Sequence, residues 1–80
     1  MKFNYSKLLG RIRECGLTQE KIAQSIGISV ATMSQKLNNK AYFYQPEIQK
    51  MCSILDIDDC EVGAYFFVRK VENFSTNEEE

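Results

Sequence analysis

An all-α fold of five short helices is predicted by three features of this 80-residue chain. Apolar residues recur at helical spacing, most plainly Ile48, Met51, Cys52 and Leu55 at i, i+3, i+4 and i+7. Turn residues interrupt that pattern at Gly16, at Gly27, at Asn38-Asn39 and across the polar run 56–59. After each interruption comes a residue suited to open a helix: Thr18, Ser29, Pro46, and Asp58 or Asp59.

Helix 1 is expected over residues 6–15, with Leu8, Leu9, Ile12 and Cys15 in one apolar stripe and Lys7, Arg11 and Arg13 off it. Gly16 ends it. Thr18 caps helix 2, residues 19–26, and Glu20 sits in its first turn, where the helix dipole favours negative charge. Gly27 can adopt a positive φ and stop that helix. Ser29 can then accept a hydrogen bond from a backbone N–H one turn into helix 3, residues 29–38. Ala23 is small enough for helices 2 and 3 to cross closely, and Ile22, Ile26, Ile28, Met33 and Leu37 supply their buried side. A loop over 38–45 leads to Pro46, a favoured first helical residue, and Glu47; helix 4 continues to Leu55. Helix 5 is expected over 60–66. The aromatic and β-branched run 65–71 either extends helix 5 or forms a short strand that pairs with its copy in a second subunit. Residues 73–80, polar and acidic, are expected to be a disordered tail on a single domain, 1–72.

A chain this short buries about 60–65% of its unfolded surface, enough for one core and too little for a second ligand-binding domain. No apolar run approaches the roughly 20 residues that span a bilayer, and no signal-peptide pattern opens the chain, so the cytoplasm is the expected location. Three cysteines, no histidine and no CxxC spacing leave no zinc site; Cys15 and Cys52 fall on apolar helix faces as small hydrophobes. Without histidine or a glycine-rich phosphate loop the chain offers no nucleophile–base pair, so neither an enzyme nor a cofactor is expected. The acidic run Asp56, Asp58, Asp59 and Glu61 lacks the glycine and spacing of a calcium loop and reads as a helix cap with solvated neighbours. Net charge is −1, yet it is divided: residues 1–50 carry eight cations and three anions, residues 51–80 two cations and eight anions. That asymmetry suits a protein with one face toward phosphate and another away from it.

Helix 3 shows solvent a run of small and amide side chains: Ser29, Val30, Ala31, Thr32, Ser34, Gln35 and Asn38. Such a face fits a DNA major groove. Thr18-Gln19, Ala23, Gly27, Met33 and the closing Leu37-Asn38-Asn39-Lys40 resemble the helix-turn-helix of lambdoid phage Cro and repressor proteins and the wider Xre-like regulators. The resemblance spans residues 5–66. Two positions depart from it. Lys36 stands where the family is usually apolar, which leaves Leu37 to make that contact. Asn39 stands where the family often has glycine, and Asn tolerates the left-handed conformation at some cost.

The resemblance implies a compact five-helix Cro/repressor-like bundle and a sequence-specific regulator of transcription, of phage or prophage type, that binds double-stranded DNA as a Cro-like repressor. It implies base contacts from Ser29, Val30 and Ala31, with Ser34 and Gln35 one turn on. It implies phosphate contacts from Gln19, Asn38 and Lys40. By chemistry, Gln35 can bond adenine N6 and N7, while Val30 and Ala31 can touch thymine methyl groups. Thr32 is expected to turn toward helix 2 or bond its own backbone, and Tyr42 and Tyr44 either add hydroxyl contacts or pack. A two-fold dimer would set two reading helices about 34 Å apart. Its expected interface is the region of Val62, Tyr65, Phe66, Phe67 and Val68, of which Val62 and Phe66 suit the core better. The alternative from the same residues is an antitoxin-like or anti-repressor protein-interaction module, favoured by the balanced charge and the consecutive aromatics.

Overall fold

Four helices stop for one backbone reason. In the computed structural model, which describes residues 2–70, these are α1 (Ser6–Glu14), α2 (Gln19–Ile26), α3 (Val30–Leu37) and α4 (Gln45–Leu55). A residue of positive φ follows each: Gly16 at 72°, Gly27 at 84°, Asn39 at 64° and Asp56 at 56°. The next residue's N–H folds back onto the helix it has left. Leu17 bonds Ile12 at 3.0 Å, Ile28 bonds Ala23 at 2.9 Å, Lys40 bonds Gln35 at 2.8 Å and Ile57 bonds Cys52 at 2.9 Å. The left-handed residue thereby satisfies the last carbonyls and redirects the chain. Leu17, Ile28 and Ile57 then drop their side chains onto the core.

The starts are equally local. Thr18 Oγ1 accepts the Lys21 N–H at 3.1 Å, and Ser29 Oγ accepts the Thr32 N–H at 3.0 Å. Ser29 therefore stands outside α3 as its cap. Glu47 reaches back to accept the Tyr44 N–H at 2.9 Å, with Pro46 in the same first turn. The expected fifth helix is divided into one 3-10 turn, Asp59–Glu61, and α5 (Val62–Phe66). Asp58 precedes that turn without a capping bond from its side chain, and Asp59 lies within it.

Against one another, α3 packs on α2, α2 on α4, and α1 on α5. Leu8, Ile22, Ala23, Met33, Met51 and Leu55 are fully buried between them. An aromatic chain closes the other side: Tyr5 meets Phe43 edge-on at 5.5 Å, and Phe43 meets Phe66 edge-on at 5.7 Å. Burial pushes the Tyr5 phenol above its ordinary pKa. After Phe66 the chain neither continues the helix nor forms a strand among the described residues. Arg69 instead makes an isolated antiparallel bridge to Phe3 of the same chain. Asn4 N–H donates to the Val68 carbonyl at 2.7 Å, and Lys70 N–H to that of Lys2 at 2.8 Å. The Asn39 side chain holds Phe3 as well, accepting its N–H at 2.7 Å and donating to its carbonyl at 2.9 Å. The expected acidic tail, 73–80, lies outside the described residues, as do 71 and 72. No helix among the described residues is long and apolar enough to cross a membrane.

Lys36 corrects the expectation placed on Leu37. Its side chain is inside, with the residue 3% exposed, while Leu37 is only half-buried. The stem fills the apolar position, and the ammonium donates to Glu47 Oε1 at 2.6 Å and to the Tyr42 carbonyl at 3.1 Å. It also lies 4.2 Å from the centre of the Tyr44 ring. A buried charge that loses its partner is costly. Lys36→Met is expected to lose about 3–5 kcal/mol in urea denaturation. Adding Glu47→Gln, which removes the orphaned charge and keeps an acceptor for Tyr44, should recover part of that loss. Gly27→Ala is expected to cost about 1–2 kcal/mol by the same measurement, a backbone penalty alone, because a Cβ there meets nothing within 4 Å.

The cysteines divide by burial. Burial, and then the charge of Asp59, pushes the Cys52 thiol up, whereas Cys60 is exposed. A thiol reagent at neutral pH is expected to label Cys60 well before Cys52; equal rates would contradict this packing.

Candidate nucleic-acid interface

The cap that starts α3 also fixes its first turn. Ser29 Oγ, while accepting the Thr32 N–H, donates to Thr32 Oγ1 at 2.9 Å. Thr32 Oγ1 is thus bonded to Ser29, and the Ser29 hydroxyl is already engaged. Beyond it, helical spacing sets two neighbouring rows, Ala31 with Gln35 and Val30 with Ser34 and Asn38. Val30 is 48% exposed, and Ala31, Gln35 and Asn38 are exposed too. Ser34 is half-buried and accepts a bond from Asn38 Nδ2 at 3.3 Å. The rows therefore share a continuous outer surface. Gln19, the first residue of α2, is exposed. Lys40 is exposed immediately after Asn39, and its own N–H closes α3.

Charge on this surface is lower than its sequence suggests. Lys36 is the one cation within α3, and it is spent inside the protein. Arg11 is also engaged: its Nε donates to the Leu55 carbonyl at 2.8 Å, and its guanidinium pairs with Glu14 at 3.2 Å. The hydrogen bond to Glu14 raises the Arg11 pKa further, so it stays charged. The outer rows of α3 are accordingly uncharged. The nearest outward cations along the chain are Lys21, in α2, and Lys40.

Elsewhere the expected contacts separate. Tyr42 and Tyr44 are both 67% exposed, yet the Tyr42 carbonyl and the Tyr44 ring serve Lys36. Of the expected dimer surface, Phe66 belongs to the core, Val62 and Tyr65 are half-buried, and Phe67 and Val68 are exposed. Lys7 lies over the Tyr65 ring at 4.8 Å. Sequence reasoning missed the organising pair, Lys36 and Glu47. Their signal was a lysine three residues after buried Met33, and a glutamate in the next helix's first turn. Among the described residues no group of cysteines and carboxylates is arranged to hold a metal ion.

The model of the family described as "Protein of unknown function (DUF739)" matches residues 1–69. The chain belongs to the DUF739 family. No curated protein matches it. Among solved structures it is similar to the solution structure of the modulator of repression (MOR) of the temperate bacteriophage TP901-1 from Lactococcus lactis. The two share 39% sequence identity with a TM-score of 0.72, over 90% of this chain and 97% of that one. This DUF739 chain thus shares its helical fold with a phage regulatory protein.

Because Ala31 and Gln35 point to solvent, substituting them should spare the fold. Ala31→Ser and Gln35→Ala are each expected to change urea-denaturation stability by less than about 0.5 kcal/mol. A larger loss would mean that this face is packed rather than open.

Proposed function

We propose that this DUF739 chain is a Cro/repressor-like, Xre-type regulator of phage or prophage transcription, seating the outer face of α3 in the major groove of an operator. The observation that supports it is the open surface of Val30, Ala31, Ser34 and Gln35, carried on a helix set by the Gly27 turn and the Ser29 cap. In this reading Gln35 bonds an adenine edge, and Val30 and Ala31 meet thymine methyl groups. Ser29 and Ser34 flank them, while Gln19, Asn38 and Lys40 hold phosphates. Phe67 and Val68, the exposed remainder of the expected interface, would bring two copies together. Such a protein would work in the cytoplasm without cofactor or catalysis.

A second reading, an anti-repressor that binds another protein, is favoured by a specific observation. Phosphate attraction supplies much of DNA affinity, and the cation within α3 is turned inward. An uncharged amide and methyl surface suits a protein contact as well as a groove. The similar phage protein's description as a modulator of repression is compatible with either.

A gel shift against the intergenic DNA beside the gene, at two salt concentrations, separates the two. DNA binding should weaken with a log–log slope of about −0.9 per phosphate neutralised. Gln35→Ala is then expected to cost about 1–3 kcal/mol at one base position. Equal weakening on every sequence would remove the base-reading role. Absence of a shift, with a foreign protein co-purifying, would replace the DNA reading by the second.

A further inference from the structure

We propose that the groove between α4 and α5 docks a basic amphipathic helix from a partner protein. The groove has a volume of about 980 Å³. Its floor includes Ile48, Cys52, Val62 and Phe67, and Phe67 is 53% exposed, a large apolar group left toward water. Asp56, after α4, and Asp59, in the 3-10 turn, stand on its rim, with Asp58 and Glu61 exposed beside them. The residues that line it include no lysine or arginine. The ion pairs among the described residues, Arg11–Glu14 and Lys36–Glu47, leave these acids unused.

An apolar floor under an acidic rim selects its occupant by charge and shape. Nucleic acid is repelled by the carboxylates, and an acidic partner is repelled equally. A helix with one apolar stripe flanked by lysine or arginine satisfies both, laying its stripe on the floor and its cations on Asp56 and Asp59. The groove is built from elements other than α3, so this docking and the proposed base contacts are tested separately; it shares Phe67 with the proposed contact between two copies, so a docked helix and a second copy compete for that side chain.

The test uses the full-length, nitrogen-15-labelled protein and a synthetic leucine–lysine amphipathic peptide of about 18 residues, roughly five helical turns. The control peptide has glutamate in place of every lysine. The lysine peptide should shift the amide signals of Cys52, Ser53, Asp59 and Val62, and the glutamate peptide should not. Asp56→Asn with Asp59→Asn should weaken binding about tenfold, Asn being tolerated at the left-handed position 56. Phe67→Ser should weaken it as well. Circular dichroism confirms that each variant is folded, and Asp59→Lys alone replaces the double variant if it is not. No binding, equal binding of both peptides, shifts centred on α3, or unchanged affinity in the charge variants would each overturn the proposal. So would a self-association in sedimentation that the charge variants abolish, which would make a second copy the occupant.

Discussion

One ammonium group joins three parts of this molecule. Lys36 leaves α3, ends on Glu47 in the first turn of α4, and takes the Tyr42 carbonyl of the loop between them. The same Glu47 oxygen accepts the Tyr44 N–H that opens α4. With the pair withdrawn from water, each group depends on the others for its hydrogen bonds. The end of α3 is therefore fastened to the loop and to α4 at one buried point. Its opposite side, Val30, Ala31, Ser34 and Gln35, is left facing out. The arrangement that presents this surface also strips it of charge, because the cation within α3 is the one used inside.

That consequence bears on what the surface can hold. The positive balance of residues 1–50 suggests a phosphate-seeking half, but a balance along the sequence counts charges without regard to where they go. Arg11 is directed to the end of α4 and to Glu14, and Lys36 to Glu47. What remains near α3 along the chain is Lys21 and Lys40. Direct reading of bases by amide and methyl groups is compatible with such a face, yet the long-range pull of phosphate would have to come from beyond α3. The acidic second half of the described chain gathers instead around the groove of α4 and α5, so the molecule carries chemically distinct faces.

The parts of the fold that rest on neighbouring residues were legible in the sequence. Gly27 with Ser29 and Gly16 with Thr18 place the boundaries of α1, α2 and α3, since each break needs only a left-handed residue and a side-chain oxygen nearby. The break after α4 was legible as a polar turn over 56–59, but the left-handed conformation of Asp56 itself was not, because an Asp in an acidic run carries no mark of positive φ as a glycine does. Contacts between distant residues were also beyond reach: Tyr5 against Phe43, Phe43 against Phe66, and the bridge from Phe3 to Arg69. At the site, the outward rows of α3 follow from helical period alone. The inward turn of Lys36 does not, because it depends on Glu47, eleven residues away, arriving at the same point.

The most direct measurement of whether the outer face of α3 is the working surface follows the amide signals of the labelled protein as duplex from beside its gene is added. Signals from Ser29 to Gln35 and that of Lys40 should move, with those of α5 unchanged. Movement confined to α4 and α5, or none at all in a folded protein, would contradict α3 as the DNA-contacting face.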